Sequence, residues 1–351
     1  MPDQTIVGWD IGGAHVKASL LQGGEVIDAA QWPCPLWQGL DHLQQALAAA
    51  QRRWPVIQDA EHAVTMTGEM VDLFADREDG VQRIAAVLTQ TFVPPTLHFF
   101  AGDAGWCGHD RVAAQWQHVA SANWLATALH CAMQLAADDA LLVDIGSTTT
   151  DIIALRRGRV LTRARTDADR LASGELVYQG VVRTPLCALA QRIAWRGREF
   201  NVMNEFFATT ADVYRATGEL DAMHDQAASA DNAAKDMHGT RQRLARLIGL
   251  DARDGTAEDW SDFAREWKRH QLRLLRGELT RVKQLHGLAD DTTLISAGCG
   301  DFLVCELGND VLGYASAVAR ISPQAAAHTT GWAQVCAPSV AVATLWSRES
   351  H

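Results

Sequence analysis

The sequence lacks closely spaced cysteines, an excess of basic residues and any long apolar run. Its seven cysteines form no C-x-x-C pair, so they indicate neither a zinc site nor a disulfide framework, and a reducing cytosol is the expected compartment. The formal net charge of −11 argues against binding to nucleic acid or to anionic membranes, both of which select basic surfaces. No apolar run reaches the length of about 18 residues that a membrane span needs, and residues 1–6 do not resemble a targeting leader. We therefore expect a cytoplasmic protein whose partners are small molecules, with a homo-oligomer left open.

The length and composition are those of an ordinary globular enzyme. A chain of 351 residues is too long for one small core, so two lobes are expected. The hydrophobic share of 48% and the charged share of 21% are typical of folded domains. No low-complexity tail or flexible linker is visible. We place the division between an N-terminal lobe at 1–137 and a C-terminal lobe at 138–351.

One stretch, Leu141–Asp151, combines an apolar strand with a polar turn. Apolar residues run into Asp144, and the turn that follows contains the candidate phosphate-binding residues Gly146, Ser147, Thr148 and Thr149. A buried strand that ends at a glycine predicts a sharp turn. Such a turn would offer backbone N–H groups and hydroxyls to a phosphate, and Asp144 would hold a hydrated Mg²⁺. The alternative is an ordinary hairpin in which Asp and Thr only form the turn.

A second copy of this pattern lies near the N-terminus. Within residues 6–17 an apolar strand again runs into Asp10 and Gly12. The residue between them is isoleucine, as it is between Asp144 and Gly146. Gly13 continues the turn, and the returning strand carries Lys17. Two strand–Asp–Gly–strand hairpins indicate an internally duplicated α/β protein, whose halves would face each other across one phosphate and one metal.

Strands and helices alternate along the first half of the chain. We predict a three-strand meander at 4–32, helices at 39–53, 80–92 and 110–137, and strands at 62–67 and 96–100. This alternation indicates parallel units in an open sheet, and ligands of such sheets collect at the carboxyl ends of the strands. Glu69 and Asp103 follow predicted strands, as Asp10 and Asp144 do.

The second half of the chain contains an arginine-rich segment and a third glycine-rich turn. We predict an irregular segment at 162–183, broken helices at 205–250, a long helix opening at Thr256, a strand at 292–296 and a closing helix at 325–348. Long irregular segments are often functional, and Arg183, which lies among apolar residues, is the preferred anion clamp. Solvated surface arginines are the alternative. The third turn carries Gly298 and Gly300, and we expect an apolar helix after it.

The three strand–turn units occur in the order found in a known superfamily. The turns after Asp10 and Asp144 resemble the phosphate-1 and phosphate-2 loops of the actin, Hsp70 and sugar-kinase fold, and the third turn resembles its adenosine loop. The implied fold class is α/β and duplicated, with two lobes around a phosphate-binding cleft. Gly298 and Gly300 would then contact a ligand. Cys299 separates two glycines that are usually adjacent, which disfavours a good adenosine pocket.

Five segments carry a narrower resemblance. They are 65–72, 99–106, 120–124, 144–151 and 174–178. They resemble the hydantoinase/oxoprolinase-related proteins linked to tetrahydromethanopterin one-carbon metabolism, a family that includes the condensing enzyme of methanofuran biosynthesis. The resemblance implies a Mg-dependent transferase of methanofuran or methylofuran biosynthesis. Such an enzyme joins an aminomethylfuran-methyl diphosphate to the phenol of a glutamyl acceptor containing tyramine or tyrosine, which forms an ether and releases diphosphate.

The candidate residues suit that chemistry. Mg²⁺ held by Asp10 and Asp144 through water, together with loop N–H groups and Lys17, would stabilise the leaving diphosphate. A phenol has a pKa of about 10, so a carboxylate or a metal must help to remove its proton. Glu69 and Asp103 are the candidate catalytic acids because they lie at strand ends. The alternative for each is a turn or helix-cap acid.

Three functions stay open at this point. The first is the ether-forming transferase, for which ATP is not expected to be required. The second is an ATP-dependent small-molecule kinase or an oxoprolinase-like hydrolase. The third is a nucleotide-switched binding protein of the actin or Hsp70 type. The departure at Cys299 favours the first function over the second, and the third lacks a distinct partner-binding domain in the sequence.

Overall fold

The structure is a computed structural model that describes residues 4–135 and 138–349. Its strands are β1 (Thr5–Ile11), β2 (His15–Gln22), β3 (Glu25–Pro33), β4 (Glu61–Met66), β5 (Leu97–Phe100), β6 (Trp106–Cys107), β7 (Asp139–Ile145), β8 (Thr150–Arg156), β9 (Arg159–Val160), β10 (Leu176–Val177), β11 (Arg192–Trp195), β12 (Arg198–Asn201), β13 (Thr293–Ala297) and β14 (Val311–Gly313). Its helices are α1 (Asp41–Arg53), α2 (Arg77–Thr91), α3 (Trp116–Val119), α4 (Asn123–Gln134), α5 (Asp167–Ser173), α6 (Thr210–Thr217), α7 (Met237–Arg246), α8 (Ala257–His286), α9 (Tyr314–Ala317), α10 (Thr329–Val335) and α11 (Ala337–Glu349). Among these helices, none combines the length and hydrophobicity that a bilayer crossing requires.

The first sheet has the strand order β3-β2-β1-β4-β5-β6. Strand β1 pairs antiparallel with β2 and parallel with β4, and β4 pairs parallel with β5. The predicted meander at 4–32 and the predicted parallel units are therefore confirmed. Because β1, β4 and β5 run in the same direction, their carboxyl ends lie along one edge of this sheet, where ligands of open α/β sheets collect.

The second sheet repeats the central part of the first. Its strand order is β10-β8-β7-β13-β14, with β9 beside β8. Strand β7 neighbours the strand that follows it in the chain, β8, and pairs parallel with the later strand β13. Strand β1 has the same two kinds of neighbour in β2 and β4. The repeat is the arrangement that an internally duplicated α/β fold requires.

A buried hydrogen bond fixes β1 to β4 within the first sheet. The indole N–H of Trp9 donates to Nδ1 of His62 at 3.1 Å. Burial lowers the pKa of His62 to about 3, so the ring stays neutral and its Nδ1 accepts the bond. Phe92 stacks on the same imidazole with ring centroids 4.0 Å apart. The hydrogen bond thus satisfies the buried indole donor within the core.

Helix α11 packs on the first sheet, over its strand β1. It packs against β1, β2 and β4. At Gly8 a Cβ atom would lie 1.9 Å from the carbonyl oxygen of Ser339, so a glycine is needed for the helix backbone to approach this closely. The N–H of Val26 in β3 also donates to the carbonyl of Arg320 at 2.7 Å. Residues 312–349 therefore pack against the N-terminal sheet and form part of the first unit.

The chain divides into two compact units made of interleaved segments. The first unit comprises Met1–Asp139, Leu155–Asp167 and Leu312–His351, and the second comprises Ala140–Ala154 and Ala168–Val311. Because the segments are interleaved, the chain passes between the units several times, and the first unit includes residues from both halves of the sequence. The predicted boundary at residue 137 lies outside the described residues.

The second unit contains a helical cluster made of α6, α7 and α8. A fully buried arginine, Arg243 on α7, lies at its centre. Its Nε donates to Oδ1 of Asp212 on α6 at 2.8 Å, and its Nη1 donates to Asp231 at 3.1 Å. The long helix predicted to open at Thr256 is confirmed as α8, and Thr256 forms a capping box at its start.

Three segments differ from the sequence prediction. A single helix at 110–137 is wrong in its described part, because Ser121 adopts a φ of +50° that a right-handed helix cannot continue. The segment 162–183 contains α5, whose seven residues are too few to show a helical period. The closing helix predicted at 325–348 consists of α10 and α11, which are separated at Cys336.

Candidate functional site

The turn after β1 places a carboxylate and an ammonium on neighbouring strands. Asp10 is buried near the end of β1 and lies directly opposite Lys17 of β2 in the strand register. The N–H of Gly12 donates to the carbonyl of His15 at 3.0 Å and closes the turn, and the carbonyl of Gly13 accepts a 3.0 Å bond from the chain that follows β3. A tight turn with this pair of charges suits a metal-bound phosphate, which stays a prediction for these residues.

The turn between β7 and β8 is held in shape by a second piece of backbone. The N–H of Gly146 donates to the carbonyl of Thr149 at 2.8 Å. The carbonyl of Ser147 accepts bonds from the N–H groups of Val182 and Arg183 at 3.1 and 2.9 Å. Because these bonds use loop carbonyls, residues 181–183 fix the loop backbone from one side. The geometry explains why an arginine far along the chain lies beside this loop.

The side chain of Arg183 lies within the same loop region. Its Nη1 donates to Oγ1 of Thr148 at 3.5 Å. Burial lowers the pKa of Arg183 from its ordinary value, because the surroundings offer the guanidinium less stabilisation than water does. An anion bound next to it would offset that cost. The structure thus places Arg183 beside the second loop, while its contact with a phosphate stays a prediction.

The third loop packs directly on the second one. Gly298 has a φ of +84°, and a Cβ atom there would lie 2.2 Å from the carbonyl oxygen of Ile145 and 2.5 Å from Oδ1 of Asp144. The N–H of Gly300 donates to the same carbonyl of Ile145 at 2.8 Å. The apolar helix start predicted after this loop is a short 3-10 helix, Asp301–Glu306, in which Leu303 and Val304 are buried. Both glycines therefore have a packing role, and their contact with a ligand stays a prediction.

Substitution of Gly298 should reveal this packing. We expect Gly298→Ala to lower the free energy of unfolding by about 2–4 kcal/mol, because a left-handed backbone and a backbone overlap add together. The matched control is Gly197→Ala, since Gly197 has a φ of +73° but an added Cβ would meet no described atom within 4 Å. Urea denaturation of both variants tests the difference. Equal losses would show that the contact with the second loop contributes nothing.

Glu69 is a buried carboxyl group at the carboxyl end of β4. It lies in the 3-10 helix Gly68–Met70 and is 1% exposed. Its Oε1 lies 2.7 Å from the hydroxyl oxygen of Ser121 and 3.4 Å from Nη2 of Arg77. Burial raises the pKa of Glu69, and the nearby charge of Arg77 opposes this rise. The side chain is therefore enclosed by protein, unlike a turn acid in solvent.

Asp103, the other candidate acid, lies in a contrasting environment. It is in the 3-10 helix Gly102–Ala104 after β5, and its side chain is 62% exposed. Its Oδ2 accepts a 2.6 Å hydrogen bond from Nε of Arg165. The Arg165 guanidinium also lies 5.8 Å from the ring centroid of Trp124. Asp103 is thus an exposed carboxylate in an ion pair.

The structure brings predicted residues together within each unit. In the first unit, a Cβ atom at Gly68 would lie 3.2 Å from the backbone of Gly12. The residue that precedes Glu69 therefore packs against the first loop. In the second unit, Asp144 lies against the third loop. The sharing of one Mg²⁺ by Asp10 and Asp144 stays a prediction.

The carboxylates beside the two loops fit a hydrated Mg²⁺. In the part of the chain that the structure describes, no three or more His, Cys, Asp or Glu side chains are grouped as metal ligands. Magnesium commonly keeps several waters and uses one or two carboxylates plus substrate phosphates. Asp10 and Asp144 each lie next to a phosphate-type turn, and each would offer a carboxylate of the kind that such an ion uses.

Sequence reasoning missed three residues that surround Glu69. These are Arg77, Ser121 and Asp167, which come from α2, the break before α4, and the start of α5. Ser121 lies in a segment whose polar residues stand out within an apolar stretch. The sequence around Arg77 and Asp167 does not indicate that they contact Glu69, because charged residues in the first turn of a helix are common and usually solvated.

Comparison with known proteins assigns the chain to a family. The family model of hydantoinase/oxoprolinase matches residues 60–344. The chain belongs to the hydantoinase/oxoprolinase family.

Two relatives share one name. A (4-{4-[2-(gamma-L-glutamylamino)ethyl]phenoxymethyl}furan-2-yl)methanamine synthase from Methanocaldococcus jannaschii is 30% identical over 296 residues, which cover 84% of this chain and 86% of the relative. A synthase of the same name from Methanococcus vannielii is 29% identical over 161 residues, which cover 46% of this chain and 71% of that relative.

A solved structure supports the fold. The nucleotide-free structure of acetone carboxylase aligns with a TM-score of 0.56 and 10% identity, over 98% of this chain and 70% of that one. At this identity the likeness concerns the fold alone. Together with the repeated strand order, it confirms the predicted class, a duplicated α/β fold of the actin, Hsp70 and sugar-kinase type.

Proposed function

We propose that this protein is a transferase of methanofuran-type cofactor biosynthesis. It joins the methylene carbon of an aminomethylfuran-methyl diphosphate to the phenol oxygen of a glutamyl-tyramine or glutamyl-tyrosine acceptor. The observation that carries the proposal is the 30% identity, over 84% of the chain, to the synthase from Methanocaldococcus jannaschii. The name of that relative specifies a phenoxymethyl link between a glutamylamino-ethyl phenol and a furan methanamine.

The proposed reaction is a substitution at the furan methylene carbon. The phenol O–H bond breaks as its proton passes to a carboxylate of the protein, the phenol oxygen forms a bond to the methylene carbon, and the bond from that carbon to the diphosphate oxygen breaks. The diphosphate leaves with the electron pair. The furan oxygen stabilises positive charge at the methylene carbon, so most of the demand on the enzyme falls on the leaving group and on the phenol proton.

The residues of the two phosphate-type loops are suited to the leaving group. Donors that point to the departing oxygen, where negative charge develops, lower the barrier more than donors that bind the ground state. In the second loop these donors are backbone N–H groups, the hydroxyls of Ser147 and Thr148, and the guanidinium of Arg183. In the first loop Lys17 supplies a cation. A hydrated Mg²⁺ on Asp10 and Asp144 would neutralise further diphosphate charge.

The test is an assay without ATP. Purified protein, Mg²⁺, the furan-methyl diphosphate and the glutamyl-tyramine acceptor should yield ether, detected by mass spectrometry, and an equal amount of diphosphate. The matched control is the acceptor with hydrogen in place of the phenol hydroxyl, which adds no bulk and has no phenol oxygen to act as nucleophile, and with it no diphosphate should appear. Competition between the tyramine and tyrosine acceptors then identifies the natural one.

One outcome would replace this proposal by an ATP-dependent function. If the free furan-methyl alcohol plus ATP gives ether and ADP while the diphosphate does not react, the enzyme activates its own substrate. If neither donor gives ether with either phenol, the transferase proposal is wrong.

A further inference from the structure

The hydroxyl of Ser121 contacts two carboxyl groups and one guanidinium. Its Oγ lies 2.7 Å from Oε1 of Glu69 and 3.0 Å from Oδ2 of Asp167. It accepts a 3.0 Å hydrogen bond from Nη2 of Arg77. All four residues belong to the first unit. They come from four separate segments of the chain, so their meeting is a product of the fold.

The number of hydrogens in this cluster does not match two ionised carboxylates. A serine hydroxyl carries one hydrogen and can donate it to one carboxylate only. The second oxygen contact requires a hydrogen that one of the carboxyl groups must itself carry. Charge gives the same answer, because Arg77 is the single cation that the described residues place within 4 Å of Glu69 or Asp167. One neutral carboxyl group balances the cluster.

Burial decides which carboxyl group carries the hydrogen. The side chain of Glu69 is 0% exposed, whereas that of Asp167 is 17% exposed. Among the described residues, Oε2 of Glu69 has no hydrogen-bond partner, a condition that costs far more for a buried carboxylate than for a buried carboxylic acid. The raised pKa of Glu69, whose largest cause is burial, agrees with this geometry.

We propose that Glu69 is a neutral carboxylic acid that donates to Ser121, and that Ser121 in turn donates to an ionised Asp167. Ser121 is the link that directs a hydrogen bond to one oxygen of Asp167. Arg77 completes the cluster from α2 and donates to the serine oxygen. Glu69 is therefore a positioning residue instead of the proton acceptor that its strand-end position predicts.

This inference rests on the proposed function for its role in catalysis. There Asp167 takes the phenol proton: the phenol O–H bond breaks, an O–H bond to Asp167 forms, and the proton later leaves to solvent. The phenol oxygen keeps the electron pair with which it attacks the methylene carbon. Ser121 and Glu69 hold the aspartate carboxylate in place, and they exchange no net proton during the reaction.

The protonation of Glu69 can be measured without any substrate. The protein is labelled with ¹³C at the glutamate side-chain carboxyl, and the resonance that disappears in Glu69→Gln is followed against pH. We expect a protonated Glu69 at pH 7. In Ser121→Gly its titration should move to lower pH, because the hydroxyl that accepts the hydrogen of the neutral acid is lost. Glycine tolerates the positive φ of residue 121, so the backbone is preserved. Titration in the range of free glutamate would overturn the inference.

Kinetic rescue by the conservative variant tests the positioning role. Glu69→Ala should lower kcat/KM by about 100-fold, and Glu69→Gln should restore most of that loss, because an amide N–H₂ donates to Ser121 as a carboxylic acid does. Asp167→Asn should lose about 100-fold or more. The control is Glu78→Gln, whose exposed carboxylate on α2 bonds to Gln82. If Glu69→Gln is as inactive as Glu69→Ala, Glu69 acts as a base and the inference fails.

The two proposals fail in different ways. Absence of ether formation by the wild-type protein would reject the transferase but leave the carboxyl resonance as evidence for the neutral Glu69. An ionised Glu69 in an enzyme that does make the ether would reject the arrangement of hydrogens and leave the transferase intact.

Discussion

Replacing Asp144 by asparagine is expected to lower kcat by about 10²–10³-fold with little loss of folded protein. The change preserves the shape of a side chain whose Oδ1 lies against the third loop, 2.5 Å from the position that a Cβ of Gly298 would occupy. It removes the negative charge that would hold a hydrated Mg²⁺ beside the leaving diphosphate. Turnover should be measured at saturating substrates over a Mg²⁺ titration, with thermal unfolding recorded in parallel.

The control for this experiment comes from the same strand. Asp139 begins β7, and its side chain is 38% exposed in an ion pair with Arg156 at 2.9 Å. Asp139→Asn should therefore keep wild-type turnover, since exposed ion pairs contribute little. Wild-type turnover of Asp144→Asn at saturating Mg²⁺ would eliminate the proposed metal role of Asp144.

Truncation of Arg243 is expected to have the largest effect on stability. Arg243→Ala should destabilise the cluster of α6, α7 and α8 by roughly 3 kcal/mol, because the buried carboxylate of Asp212 loses one of its two arginine partners and keeps only Arg215. Hydrogen exchange of the α7 amides reports this cluster directly, so the two-unit architecture does not complicate the reading. We expect much faster exchange in the variant.

A matched surface variant shows whether burial is the cause. Arg253→Ala removes an arginine that is 85% exposed and pairs with Asp251 at 2.9 Å. Exchange in α7 should be unchanged there. If both variants accelerate exchange equally, the buried pair has no special importance, and loss of overall positive charge would explain the result.

Local patterns allowed much of the fold to be predicted. Asp10 and Asp144 each follow an apolar run and precede a glycine, and the structure places both near the end of a strand that starts a hairpin. The alternation of strands and helices identified the parallel neighbours. These features depend on residues close together in the chain, where side-chain periodicity is directly visible.

The surroundings of Glu69 could not be predicted in this way. Ser121 lies 52 positions from Glu69, and Asp167 lies a further 46 positions on. Nothing in the local sequence of either residue specifies that contact, because packing of whole segments determines it. The same reason explains the third loop: Gly298 was assigned to ligand binding, whereas its close approach to Ile145 is visible only in three dimensions.

The close contact between Gly8 and Ser339 has a consequence for biosynthesis. The strand that carries Gly8 leaves the ribosome early, but the helix that covers it is translated more than 300 residues later, since it begins at Ala337. Until then one side of the N-terminal sheet has no partner. Contacts between such distant parts of a chain slow folding and prolong the exposure of apolar surface. The first unit therefore completes its core only after α11 has been synthesised, and the apolar face that α11 covers stays exposed until then.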